Sequence, residues 1–116
     1  MPRLLPLVAL LAAVASPGLA RASSSSDEVR FGIDVARRGL WREARFRFEK
    51  AVQQDPDNAA ALNNLAIALE QEGNFEKARE AYERALKLDD SLYIQQNYDL
   101  FREADDKRNR KAKKKP

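Results

Sequence analysis

Sliding this chain against itself by 34 residues lays small side chains on small and bulky on bulky. Phe31 falls on Leu65, Gly32 on Ala66, Val35 on Leu69, Gly39 on Gly73, Trp41 on Phe75, Ala44 on Ala78 and Phe48 on Tyr82. Glu49, Lys50, Ala51, Val52 and Asp55 fall on Glu83, Arg84, Ala85, Leu86 and Asp89. Within each copy the apolar residues recur at helical spacing: Trp41, Ala44, Phe48, Ala51 and Val52 mark one helix face, and Phe75, Ala78, Tyr82, Ala85 and Leu86 mark its counterpart. Gly39 and Gly73 suit the left-handed residue that ends a helix. Asp55-Pro56-Asp57-Asn58 is a stop followed by residues suited to an N-cap. Each unit is therefore a helix pair, and such units bury their apolar faces only by stacking.

The expected organisation follows from these marks. Residues 1–22 are set apart as a leader, and 23–26 form a polar linker expected to be disordered, with Asp27 available to cap the first helix. Residues 27–57 form the first hairpin and 58–91 the second, with Ser91 as a cap. Residues 92–109 form a more hydrophilic fifth helix whose inner face is Tyr93, Ile94, Tyr98, Leu100, Phe101 and Ala104, with Gln95, Asp99, Arg102 and Asp106 opposite. Residues 110–116 form a basic tail with nothing apolar to bury, expected to fray. The fold expected is all-α: an α-solenoid of two hairpins closed by a C-terminal capping helix. The N-terminal hairpin has no such lid, which leaves edge-to-edge homodimerisation or an awaited partner open.

A 34-residue period of paired helices, with Gly32/Ala66, Ala44/Ala78 and Ala51/Ala85 small where helices cross, resembles the tetratricopeptide repeat (TPR) family over most of the chain beyond the leader. Two positions depart from the family pattern. Glu28 stands where the first helix normally carries a large apolar residue, which questions how well that helix packs, and Asp90 replaces the closing proline. The resemblance implies a protein or peptide partner in a concave groove lined by the first helix of each hairpin: Arg30, Ile33 and Arg37, with Asn63, Asn64, Ile67, Glu70 and Gln71. Asn64 matches a family asparagine that bonds ligand backbone, or else belongs to the generic repeat pattern. The carboxylate clamp of heat-shock chaperone adaptors is not expected, because Val29 and Ile33 occupy its places.

Composition narrows the chemistry. Histidine and cysteine are both absent from the 116 residues, which removes the usual base at neutral pH, the commonest zinc ligands and any thiol nucleophile. No enzyme activity, cofactor or metal is expected. Asp55 and Asp57 are carboxylates whose capping roles already explain them. Met1 to Ala22 reads as a secretory signal: Arg3, an apolar run from Leu4 to Ala15, the Pro17-Gly18 break, and Ala20-Arg21-Ala22 for cleavage. A retained anchor is the alternative, but the run is about a dozen residues where about 20 are needed to span a bilayer. A lipoprotein is excluded for want of cysteine. The expectation is export to the periplasm or beyond.

The net charge of +3 hides a split. Lys107, Arg108, Arg110, Lys111, Lys113, Lys114 and Lys115 crowd basic charge into the C-terminus, leaving the preceding body acidic. No nucleic acid is expected, since the tail lacks aromatics to stack bases. Weak contact with an anionic membrane surface is the alternative role, at roughly 1 kcal/mol per basic residue, and a solubilising tail is the plain one. The leading function is a non-enzymatic protein-interaction scaffold of the cell envelope. The alternative is a surface-tethering module working through the basic tail on anionic lipid or polymer.

Overall fold

The computed structural model describes residues 23–115; the expected export signal, residues 1–22, lies outside them. Among the described residues there are five helices and no strand: α1 (Ser25–Arg37), α2 (Trp41–Gln54), α3 (Ala59–Gln71), α4 (Phe75–Leu88) and α5 (Leu92–Lys114). The chain adopts the all-α helical-repeat architecture expected of it.

The two hairpins are built by the same local chemistry. Gly39 and Gly73 adopt φ of +77° and +82°, a region open to glycine because it has no Cβ. There the chain reverses with Leu40 N donating to Val35 O at 3.2 Å and Asn74 N to Leu69 O at 2.9 Å, which satisfies carbonyls at the end of α1 and of α3. After α2, Asp57 N donates to Asp55 Oδ1 at 3.1 Å, and after α4, Ser91 N donates to Asp89 Oδ1 at 3.1 Å. This aspartate turn closes both repeats. The proline at 56 is therefore not needed at Asp90. Asn58 then caps α3 by accepting from Ala61 N at 3.0 Å, and Ser91 caps α5 by accepting from Ile94 N.

Packing repeats with the same period. Ala44, Ala51, Ala78 and Ala85 are all fully buried, with Phe48 and Tyr82 almost so. Small residues let the helix axes approach, and the two rings fill the space between. Gly32 is needed because any Cβ there would overlap the Phe48 ring, at 2.8 Å from Cδ1. The second hairpin stacks on the first through α3 against α2 and α1, joining both into one core from Val35 to Phe101.

Three expectations need correction. Ser24 caps α1, not Asp27: Ser24 Oγ accepts from Asp27 N, and Asp27 returns the bond to Ser24 N, a capping box. The expected linker is thus tied down, with Ser25 Oγ donating to Ala51 O at 2.9 Å and Gln54 Nε2 to Ser23 O at 2.9 Å. Next, α5 turns Ile94, Phe101 and Asp105 inward, with Tyr98 partly buried between them, while Tyr93 and Leu100 stand 61% and 66% exposed. Each lies one residue before an inward position, about 100° away around a helix. Finally, α5 does not fray at 109 but continues to Lys114. Lysine, arginine and alanine are good helix formers, and cations favour a helix C-terminus. Arg108 also pins the arm, lying 3.5 Å over the Phe75 ring and 3.1 Å from Asp105.

Buried charge holds both ends. Glu28 is only 3% exposed, and its carboxylate meets Lys50 at 3.3 Å and Arg47 at 3.4 Å and accepts from Ser23 Oγ. The Ser23 bond, then the nearby cations, hold its pKa below the usual range against the opposing effect of burial. So α1 packs despite lacking the family's large residue there. At the other end Asp105 pairs with Arg79 at 2.7 Å and with Arg108. Those bonds lower its pKa, Arg79 first. Around this pair Tyr82, Tyr98 and Phe101 form a ring cluster with centroids 5.4–6.3 Å apart, which seats α5 on α4.

Candidate functional site

Two adjoining depressions run between α1, α3 and the start of α5. One, of about 520 Å³, is lined by Ile33, Ala36, Arg37, Trp41, Phe48, Asn64, Ile67 and Tyr93. The other, of about 320 Å³, adds Val29, Ala60, Asn63, Asp89, Ser91 and Ile94. Ile33, Asn64 and Tyr93 border both, so the two make one continuous groove. Its position follows from helix periodicity: Ile33 and Arg37 are one turn apart on α1, and Asn64 and Ile67 are one turn apart on α3.

The groove has an apolar floor with a few polar groups at its edges, the usual composition of a binding cleft. Ile33, Asn64 and Ile67 are half-buried, so each keeps surface to give to a ligand. The Asn64 amide can both donate and accept. Arg37 is largely exposed and loosely paired with Asp34 at 3.9 Å, which leaves its guanidinium able to take a carboxylate.

The expected groove residues divide. Ile33, Arg37, Asn64 and Ile67 come together on one cavity. Asn63 borders the second depression but is 1% exposed. Its Oδ1 accepts from Asn97 Nδ2 at 3.2 Å, so its side chain serves the contact between α3 and α5. Arg30 is turned to Asp27 on its own helix. Glu70 accepts from the Tyr82 hydroxyl at 3.0 Å, and Gln71 is exposed beyond the groove. Tyr93, expected on the inner face of the cap, instead forms the end wall. Its rotation is fixed by the packing of α5, which nothing local in the sequence reports.

The groove lining consists of apolar side chains, two asparagine amides, the Asp89–Ser91 turn, the Tyr93 ring and the Arg37 guanidinium. The lowered ionisations of Glu28 and Asp105 belong to the packing between helices, and that of Asp27 to the α1 capping box, its bonds to Ser24 first. The packing also holds Tyr82, its phenol pushed up by burial and then by the Glu70 charge. Among the described residues no cluster of three or more carboxylates could hold a metal ion, and no helix is long and apolar enough to cross a membrane. The basic residues of α5 are a separate surface: Lys107, Arg110, Lys111 and Lys114 recur along one side of the arm, all exposed.

Sequence comparison agrees with the architecture. A model of the tetratricopeptide repeat family matches residues 29–93. A tomato (Solanum lycopersicum) protein described as a probable UDP-N-acetylglucosamine–peptide N-acetylglucosaminyltransferase SPINDLY is 40% identical over 60 residues. Its Petunia hybrida counterpart is 38% identical over 60 residues. In each case the match covers 52% of this chain and 6% of the relative.

Proposed function

This chain belongs to the tetratricopeptide repeat family, and on that premise we propose that it is an exported scaffold of the cell envelope that holds a peptide or helix of a partner protein in the α1–α3–α5 groove. Tetratricopeptide repeats are themselves non-catalytic and generally mediate protein–protein interaction. The observation that carries the finer reading is the groove itself, with half-buried Ile33, Asn64 and Ile67 under Tyr93 and an available Arg37 at the rim. This chemistry suits an amphipathic segment: apolar side chains for the floor, backbone groups for Asn64, and one carboxylate for Arg37. Apolar anchors in a groove give affinity while edge polar groups set register.

The test is photo-crosslinking in the native cell from positions 64, 67 and 93, with position 53 on exposed α2 as control, followed by mass spectrometry. One partner captured from all three groove positions and not from 53, and lost on Ile67→Asp, is the expected result. A scatter of unrelated proteins, equal from groove and control, refutes the groove. N-terminal sequencing of the recovered protein tests export, with Ser23 expected as the first residue.

A second reading is favoured by the helical basic arm. Arg108, held by Phe75 and Asp105, braces a rod with Lys107, Arg110, Lys111 and Lys114 along one side, a form suited to an anionic lipid or polymer surface. Deleting residues 107–116 separates the two: a tether loses envelope association, whereas a groove binder keeps its partner.

A further inference from the structure

The three large apolar side chains that stand more than 60% exposed among the described residues all lie on α5: Leu92 at 68%, Leu100 at 66% and Tyr93 at 61%. Helix periodicity gathers them on one side with the basic residues. Tyr93, Leu100, Lys107 and Lys114 are spaced by sevens, which turns each about 20° from the last. Leu92, Arg110 and Lys111 share the same arc of about 100°. This side lies opposite the one that Ile94, Phe101 and Asp105 turn onto the body, and Arg108, which pins the arm to Phe75, lies off it. Glu103 is the one carboxylate within the arc; Asp99 and Asp106 lie just beyond its edge, the first 3.9 Å from Arg102. The outer face of α5 is therefore apolar toward its N-terminus and cationic toward its C-terminus, along about 30 Å of helix.

The geometry points to the surface of an anionic lipid bilayer as what this face meets, with Lys107, Arg110, Lys111 and Lys114 on the headgroups and Leu92 and Leu100 set among the upper acyl chains. The inference rests on the tether reading above and chooses between its two ligands. Three observations select lipid. Four cations with one carboxylate among them call for a partner dense in negative charge. A soluble polyanion supplies that charge but offers nothing to two exposed leucines on the same face. A bilayer interface takes both, because an amphipathic helix lying in it buries its apolar side chains and keeps its long basic ones at headgroup level. Tyr93, at the edge of the arc, carries a ring and hydroxyl of the kind enriched at that depth. Finally, the face is the convex outer side of a terminal helix, from which the leucines project. A folded partner needs a matching hollow for them, whereas a fluid lipid layer conforms to them.

The test is co-sedimentation of the chain, as recovered from its cells, with phosphatidylcholine vesicles that carry or lack about one third phosphatidylglycerol. Binding to the anionic vesicles and not to the neutral ones is expected. Leu92→Ser with Leu100→Ser weakens it about tenfold or more and leaves retention on immobilised polyphosphate unchanged, while Lys107→Gln with Lys111→Gln weakens both. Vesicle binding that needs the arm yet ignores the leucine pair overturns the inference and leaves the tether standing on charge alone. Binding to polyphosphate without binding to vesicles overturns it in favour of a polymer, and binding to neither removes the tether as well. A protein crosslinked in cells from position 100, with no vesicle binding, assigns the face to a folded partner and overturns it. Equal binding to neutral and anionic vesicles also overturns it. A second measurement stands if the serine variant fails to fold. The chain has no cysteine, so the single-cysteine variants Leu100→Cys and Arg102→Cys can each carry an environment-sensitive fluorophore. Anionic vesicles shift the emission to the blue from position 100 and not from position 102, on another side of α5; equal shifts overturn the proposal.

Discussion

Gly32→Ala sets two effects of opposite sign against each other. In an unobstructed helix the change stabilises by about 1 kcal/mol, because glycine costs that much relative to alanine in a helix interior. Here the new methyl would stand 2.8 Å from Phe48 Cδ1 and 3.0 Å from Cζ, well inside ordinary contact. Phe48 is 2% exposed in the same core cluster as Val35, Ala44, Leu65 and Leu69 and borders the groove on its other side, so relieving the overlap moves the ring out of its packed position toward the groove. Overpacking a filled core costs about 1–3 kcal/mol, and several ring atoms are struck at once, which puts this site in the upper half of that range. The net expectation is a loss of about 1–2 kcal/mol after subtracting the propensity gain. In urea, with a slope of about 1 kcal/mol/M for a small domain, the midpoint falls by about 1–2 M. Adding Phe48→Leu makes room, so the double variant loses less than the sum of the two singles. A midpoint that rises on Gly32→Ala, or strict additivity in the double variant, refutes the close approach of α1 and α2.

Glu28→Gln leaves Arg47 and Lys50 without their shared carboxylate. It is expected to cost about 1–2 kcal/mol, less than the about 3–5 of a fully buried pair because Lys50 is 43% exposed. The Glu28 pKa is lowered on folding from its ordinary 4.5, so this stabilisation is complete above pH 4.5 and disappears as pH falls through the lower folded value. Acid titration of the urea midpoint checks this: the acid limb of Glu28→Gln is shallower than that of the parent. Phe101→Ala removes a fully buried ring from the Tyr82–Tyr98 cluster and costs about 3–5 kcal/mol by cavity formation. Calorimetry checks the loss, and an unchanged melting temperature counts against α5 as a cap.

The parts of this fold that were legible are those whose cause is local. Gly39 and Gly73 announce their turns, and the alanines at 44, 51, 78 and 85 mark the crossings, because a helix hairpin imposes its spacing on a short stretch of chain. What escaped depends on distant partners. Glu28 looked misplaced because its counterions sit on another helix, at Arg47 and Lys50. Ser24 is one of four consecutive serines, and only its reciprocal bonds with Asp27 single it out as the cap. On α5 the apolar residues are too sparse to fix one face, so the sequence alone admits Tyr93 and Leu100 as inward residues; packing against Tyr82 and Ala85 turns Ile94 and Phe101 in instead. The same rotation explains the groove. Tyr93 joins it, while Asn63 faces Asn97. Adjacent asparagines cannot be told apart until the helix that one of them meets is in place.

Residue-resolved amide hydrogen exchange tests most directly that two like hairpins stack beneath one terminal helix. Protection is expected to be greatest in α3 and α4, which are covered on both sides, to extend through α5 from Ile94 to Asp105, and to decline along the basic arm toward Lys114. An α5 that exchanges like an unstructured chain while α3 and α4 stay protected would contradict the account.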